Sequence, residues 1–69
     1  MLARVKWFDN YKGYGFLTDN VGNNIFIHYT QILTKGFKTL SEDEEVKIGI
    51  VIKTDKGLQA QAVEKLMIQ

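Results

Sequence analysis

Six residues, Asp19-Asn20-Val21-Gly22-Asn23-Asn24, separate two short runs rich in rings and branched aliphatics. Five of the six are turn formers, and the segment is too short to hold a crossover helix. The flanking runs, Tyr14–Thr18 and Ile25–Tyr29, are therefore expected to be strands of one hairpin. Strand alternation then places Tyr14 and Phe16 on one face, and Phe26 and His28 on one face of the partner. Leu17, Ile25 and Ile27 occupy the opposite, core-facing side. Matched faces would gather Tyr14, Phe16, Phe26 and His28 into one patch.

The rest of the chain extends this β reading. Leu2 to Phe8 alternates Ala3, Val5 and Trp7 with Arg4 and Lys6, which is a strand pattern. Phe8 breaks the alternation, so parity does not decide which of Trp7 and Phe8 faces solvent. Asp9 to Gly13 reads as a turn. Residues 30–45 look irregular, with one helical turn expected at Thr30–Leu33 and Thr30 as its cap. Val46 to Ile52 reads as a β-branched strand with Gly49 expected at a bulge. Thr54-Asp55-Lys56-Gly57 is a turn. Leu58 to Ile68 is ambiguous: Ala60, Val63 and Met67 fit a helical face, whereas Leu58, Ala60, Ala62, Leu66 and Ile68 fit a strand face. A fifth strand is expected, since it would pair with the third and close a sheet. Five short strands make a sandwich or a small closed barrel.

Sixty-nine residues, no Cys and 45% hydrophobic residues describe one small globular domain over residues 1–69, without disulfides. No apolar run reaches the ~18 residues of a membrane span, and the N-terminus lacks the apolar stretch of a signal peptide. A soluble cytoplasmic protein is expected. The formal charge is only +1, but it is unevenly spread. Residues 1–40 hold five cations against two carboxylates and carry all eight aromatics; residues 41–69 hold four cations against six carboxylates. A small barrel cannot enclose eight rings as well as its aliphatics, because interiors are close-packed. Some rings must lie outside, where an aromatic cluster marks a binding surface.

That surface chemistry suits single-stranded nucleic acid. Unpaired bases stack on rings at about 1–3 kcal/mol each, and lysines beside the rings hold phosphates without reading sequence. Lys6, Lys12 and Lys56 are the best placed. Gly13 and Gly15 would let a base or the backbone approach closely.

Val5-Lys6-Trp7-Phe8-Asp9, Lys12-Gly13-Tyr14-Gly15-Phe16-Leu17, Ile25-Phe26-Ile27-His28-Tyr29 and Gly36-Phe37-Lys38-Thr39-Leu40 together resemble the bacterial cold-shock domain family, in order and over nearly the whole chain. The resemblance implies an all-β, five-stranded antiparallel OB-type barrel with ribonucleoprotein-like motifs on the second and third strands. It implies binding of single-stranded RNA and single-stranded DNA, and a role as an RNA chaperone or regulator of transcription and translation. The family's binding positions fall on Lys6, Trp7, Lys12, Tyr14, Phe16, Phe26, His28, Tyr29 and Phe37, with Phe8 and Lys56 as peripheral contacts. Four departures stand out. Ala3 replaces a usual Gly, Asp9 an Asn and Leu58 a Pro, while Glu42-Asp43-Glu44 replaces Glu-Gly-Gln.

Other readings of these residues are weaker. His28 is the only histidine, with no Cys or second His for a metal and no nucleophile to serve as base. Gly13-x-Gly15 lacks the third glycine of a dinucleotide fingerprint. Residues 42–45 lack calcium-loop spacing and read as solvated. Lys12–Phe16 also resembles an RNA-recognition-motif signature, but that fold needs helices between its strands. The expectation is a binding module without catalysis, cofactor or metal. It is expected to be monomeric, with a strand-exchanged dimer as the assembly left open.

Overall fold

The computed structural model describes residues 1–36 and 38–66. It contains five strands: β1 (Leu2–Asp9), β2 (Tyr14–Thr18), β3 (Asn24–His28), β4 (Glu45–Thr54) and β5 (Gly57–Lys65). They close into a barrel in the order β1-β2-β3-β5-β4. All neighbours are antiparallel except β3 and β5, which run parallel and meet only at Ile25 opposite Leu58 and Phe26 opposite Gln59. The expected five-stranded OB-type barrel is therefore present, with one parallel seam where an antiparallel one was expected. The expectation for Ile68 lies outside the described residues.

The hairpin β2–β3 has the expected register, with Tyr14 opposite His28, Phe16 opposite Phe26 and Leu17 opposite Ile25. Its turn is organised by Asp19, whose carboxylate accepts from the backbone of Val21 and Asn23 and from the Asn23 side chain. The Asn23 side-chain bond, followed by the backbone bonds, holds the Asp19 carboxyl below the usual carboxylate range.

The core is aliphatic. Val5, Leu17, Ile25, Ile27, Ile32, Val46 and Val63 have no exposed surface, and Ala3, Leu40, Ile48 and Ala60 have almost none. Two of these, Ile32 and Leu40, come from the irregular segment and close the barrel. Ile32 follows a 3-10 turn at Tyr29–Gln31. The turn's cap is His28 rather than the expected Thr30, because the His28 ring accepts from the Thr30 backbone N–H. Leu40 is held by the Asn10 side chain, which donates to its carbonyl (3.2 Å) and accepts from its N–H (3.1 Å).

Two irregularities decide which side chains face inward. The β1–β2 register shifts between Val5 and Trp7, so Lys6 is an extra residue on β1. Inward positions then run Ala3, Val5 and Phe8. Phe8 packs against the core and Trp7 is left outside. In β4 and β5 the inward set changes from Val46, Ile48 and Val63 to Val51, Leu58 and Ala60. The change falls at Gly49 and Ala62, between the pairs Ile48–Val63 and Ile50–Gln61. The register is continuous there, so Gly49 does not mark the expected bulge. Instead Ala62 adopts φ +55°, and a Cβ on Gly49 would lie 2.9 Å from the Ala62 Cβ. The β5 face therefore follows Ala60 and Val63, not the expected Ala60 and Ala62.

Asp43, at the position where the resemblance implies Gly, has φ +68°. It lies between two bonds to β1: its N–H donates to Val5 O (2.8 Å), and Val5 N–H donates to Glu44 O (2.9 Å). A side chain in the left-handed region is strained, less so for Asp than for most residues. Asp43→Gly should stabilise the fold by about 0.5–1 kcal/mol and raise the thermal midpoint by a few degrees. Gly49→Ala should destabilise by about 1–3 kcal/mol through the Ala62 collision. Thermal denaturation of both variants checks the two signs.

Candidate nucleic-acid interface

The ring-bearing face of β2 and β3 is assembled by the hairpin register and completed by β1. A Cβ on Gly15 would lie 2.2 Å from the Trp7 carbonyl oxygen and 2.6 Å from the Phe8 Cα. The missing side chain therefore serves the approach of the β1 backbone, not of a base. That approach sets Trp7 opposite Phe16. Gly13, at φ +82°, leaves room for Tyr29, whose ring would lie 2.4 Å from an added Cβ.

Four rings form a continuous lattice. Trp7 lies 5.7 Å from Phe16 and 6.0 Å from Tyr14, centroid to centroid. Phe26 lies 5.7 Å from Phe16 and 6.2 Å from Tyr14. These edge-on and stacked contacts hold the rings in place against one another. Phe16, Phe26, Tyr14 and His28 are half-buried, and Trp7 is 38% exposed. Each therefore offers ring surface to solvent while its neighbours support it.

His28 continues the face opposite Tyr14, and its ring lies 4.7 Å from that of Tyr29. Its Nδ1 faces the Thr30 hydroxyl at 2.9 Å and accepts from the Thr30 N–H.

Each end of the lattice opens into a shallow groove. The groove at the Phe16–Phe26 end, of about 480 Å³, is lined also by Asn24, Lys56 and Gln59. The groove at the Tyr29 end, of about 440 Å³, is lined also by Asn10, Tyr11, Lys12 and Lys38. Lys56 and Lys12 thus sit at opposite ends. Lys6 is exposed beside Trp7 and reaches Asn24 at 3.4 Å. Phe8 is the one described candidate ring that packs inward, against the core. Phe37 lies outside the described residues.

Asp9 is less of an intrusion than its charge suggests. Its Oδ1 accepts from the backbone N–H of both Tyr11 and Lys12 at 2.9 Å. The carboxylate thereby organises the turn that presents Lys12. The acidic run meets β1 at Val5 from the side opposite β2, and Glu44 pairs with Lys65 at 3.0 Å. Among the described residues no group of three His, Cys, Asp or Glu side chains could hold a metal ion. Nor is any helix among them long and apolar enough to cross a membrane.

Gln59, Asn24, Lys38 and Tyr11 are among the lining residues that escaped the sequence reading. Gln59 reaches the face because β5 pairs parallel with β3 beside Phe26, and strand periodicity does not reveal that seam. Asn24 begins β3 but resembles a turn residue. Lys38 comes from the irregular segment, where no periodicity indicates direction. Tyr11 was legible as a turn aromatic but has no alternation partner.

Comparison with known proteins agrees with this arrangement. The profile of the "'Cold-shock' DNA-binding domain" family matches residues 1–66. Cold shock protein CspB of Bacillus caldolyticus is 49% identical over 64 residues, covering 93% of this chain and 96% of that protein. Cold shock protein CspV of Vibrio cholerae is 49% identical over 67 residues, covering 96% of this chain and 94% of that protein. Among solved structures, Drosophila Unr CSD456 superposes with a TM-score of 0.68 at 23% identity. That likeness concerns the fold; it covers 96% of this chain and 26% of the larger one. A five-stranded closed barrel, a ring lattice on β1–β3 and a family match over 66 residues together identify the chain as a member of the cold-shock domain family, a nucleic-acid-binding domain.

Proposed function

We propose that this domain binds single-stranded RNA and single-stranded DNA by stacking bases on the Trp7–Tyr14–Phe16–Phe26 lattice, without catalysis. The observation that carries the reading is the continuity of those four rings on one outer face, with a lysine-bearing groove at each end. Flat, half-exposed rings match the π-faces that only unpaired bases present. His28 and Tyr29 extend the stacking track, and Phe37 is assigned a base contact on the family resemblance alone. Phe8 supports it from beneath, and Lys6, Lys12 and Lys56 hold phosphates.

The mechanism is mass action. A protein that binds the unpaired strand and not the duplex shifts weak hairpins toward open forms. This is the action of an RNA chaperone, and through opened structures it regulates transcription and translation in the cytoplasm. The domain acts as a monomer over residues 1–69, since one copy carries the whole lattice.

Titrating Trp7 fluorescence with oligothymidine and with a duplex of equal length tests the proposal. Strong quenching by the single strand alone is expected, and equal affinity for both would contradict it. Three phosphate-holding lysines give an expected log–log salt slope of about −2. Phe16→Ala and Phe26→Ala should each weaken binding by about 1–3 kcal/mol. Their cost in unfolding free energy should fall below that of Ile27→Ala, about 2–5 kcal/mol for a fully buried aliphatic. Chemical denaturation beside the binding isotherms separates the two effects.

A further inference from the structure

We infer that Tyr11 is an additional stacking residue, which with Tyr29 holds the terminal nucleotide of the bound single strand in the groove between the β1–β2 turn and residues Gly36, Lys38 and Thr39. The inference rests on the single-strand binding proposed above and extends its footprint beyond the four-ring lattice.

Three observations converge on it. Tyr11 is 97% exposed, the most exposed of the large hydrophobic side chains, so its ring has no supporting role in the fold. It lines a groove of about 440 Å³ with Tyr29, Lys12, Lys38, Asn10 and Thr39, and none of the described lining residues is acidic. That groove continues the ring face, because Tyr29 stands 4.7 Å from His28 and His28 pairs across from Tyr14. A strand leaving the lattice past His28 therefore enters a space lined by two aromatic residues and two lysines. Those features fit a base and its phosphate.

The backbone beneath Tyr11 is fixed before any ligand arrives. Asp9 Oδ1 accepts from the Tyr11 and Lys12 N–H groups at 2.9 Å. The Gly13 N–H donates to the Asp9 carbonyl at 2.7 Å, and the Tyr29 N–H to the Gly13 carbonyl at 2.8 Å. Asn10 clamps the opposite wall through its two bonds to Leu40. Lys38 is anchored by its ammonium on the Ile32 carbonyl at 2.8 Å, while Lys12 makes no side-chain bond among the described residues and is the phosphate-facing group. With the backbone already held, the Tyr11 and Lys12 side chains are what must be ordered on binding, which limits the entropic cost.

The test is a length series of oligothymidines titrated against wild type, Tyr11→Ala and Tyr11→Phe. Tyr11→Ala should keep the thermal midpoint and bind the shortest strands as wild type does. On strands long enough to enter the groove it should lose roughly 5- to 100-fold in affinity. Tyr11→Phe, which keeps the ring, should follow wild type throughout. Equal affinity of Tyr11→Ala and wild type at every length would overturn the inference and leave the single-strand reading standing. An equal loss at every length would overturn it too, by making Tyr11 part of the central lattice. Failure of wild type to bind any oligothymidine would overturn the single-strand reading itself.

Discussion

The inside of this barrel is filled mainly by aliphatic side chains, and the outward facing of Tyr14, Phe16 and Phe26 follows from that. Val5, Leu17, Ile25 and Ile27 take the inward positions of β1, β2 and β3 and leave no exposed surface. Interior close packing leaves no volume there for Tyr14, Phe16 or Phe26. The same alternation that buries the aliphatics turns the rings outward, where the hairpin register aligns them in pairs. Gly15 then lets β1 approach β2 so closely that Trp7 joins the set. Core and proposed binding face are two sides of one packing solution.

The resulting surface is shallow, and this suits the proposed ligand. Bases lying on flat rings need no deep pocket, and in the proposed complex the grooves at the two ends guide the strand without enclosing it. Net charge contributes little at +1. What matters is placement: lysines stand beside the rings, while the acidic run engages β1 from its other side. Asp9, the one acid in the turn next to Lys12, has an oxygen committed to two backbone N–H groups. Its main structural effect is to stiffen the turn that carries Tyr11 and Lys12.

Much of this was legible from the residues. The turn formers between β2 and β3 define the hairpin, and two-residue alternation sorts its rings from its aliphatics. What escaped the sequence was wherever the backbone departs from simple alternation. The extra residue Lys6 exchanges the facing of Trp7 and Phe8, and no propensity marks that position. The left-handed Ala62 brings Ala60 and Val63 onto one face. That three-residue spacing mimics a helix, which explains the ambiguity of the last segment. Ile32 and Leu40 close the barrel from a segment without periodicity, held by tertiary bonds from β5 and Asn10. The parallel β3–β5 seam, which brings Gln59 to the ring face, is a long-range pairing that local pattern does not encode.

The central claim is that rings on the outer face of β1–β3 receive bases while the aliphatic interior stays closed. Side-chain NMR of the domain titrated with oligothymidine measures this most directly. The account predicts ring-current shifts and base contacts at Trp7, Tyr14, Phe16 and Phe26, with the methyl groups of Leu17, Ile25 and Ile27 nearly unmoved. Base contacts concentrated on β4 and the outer residues of β5, with the four rings unperturbed, would contradict it.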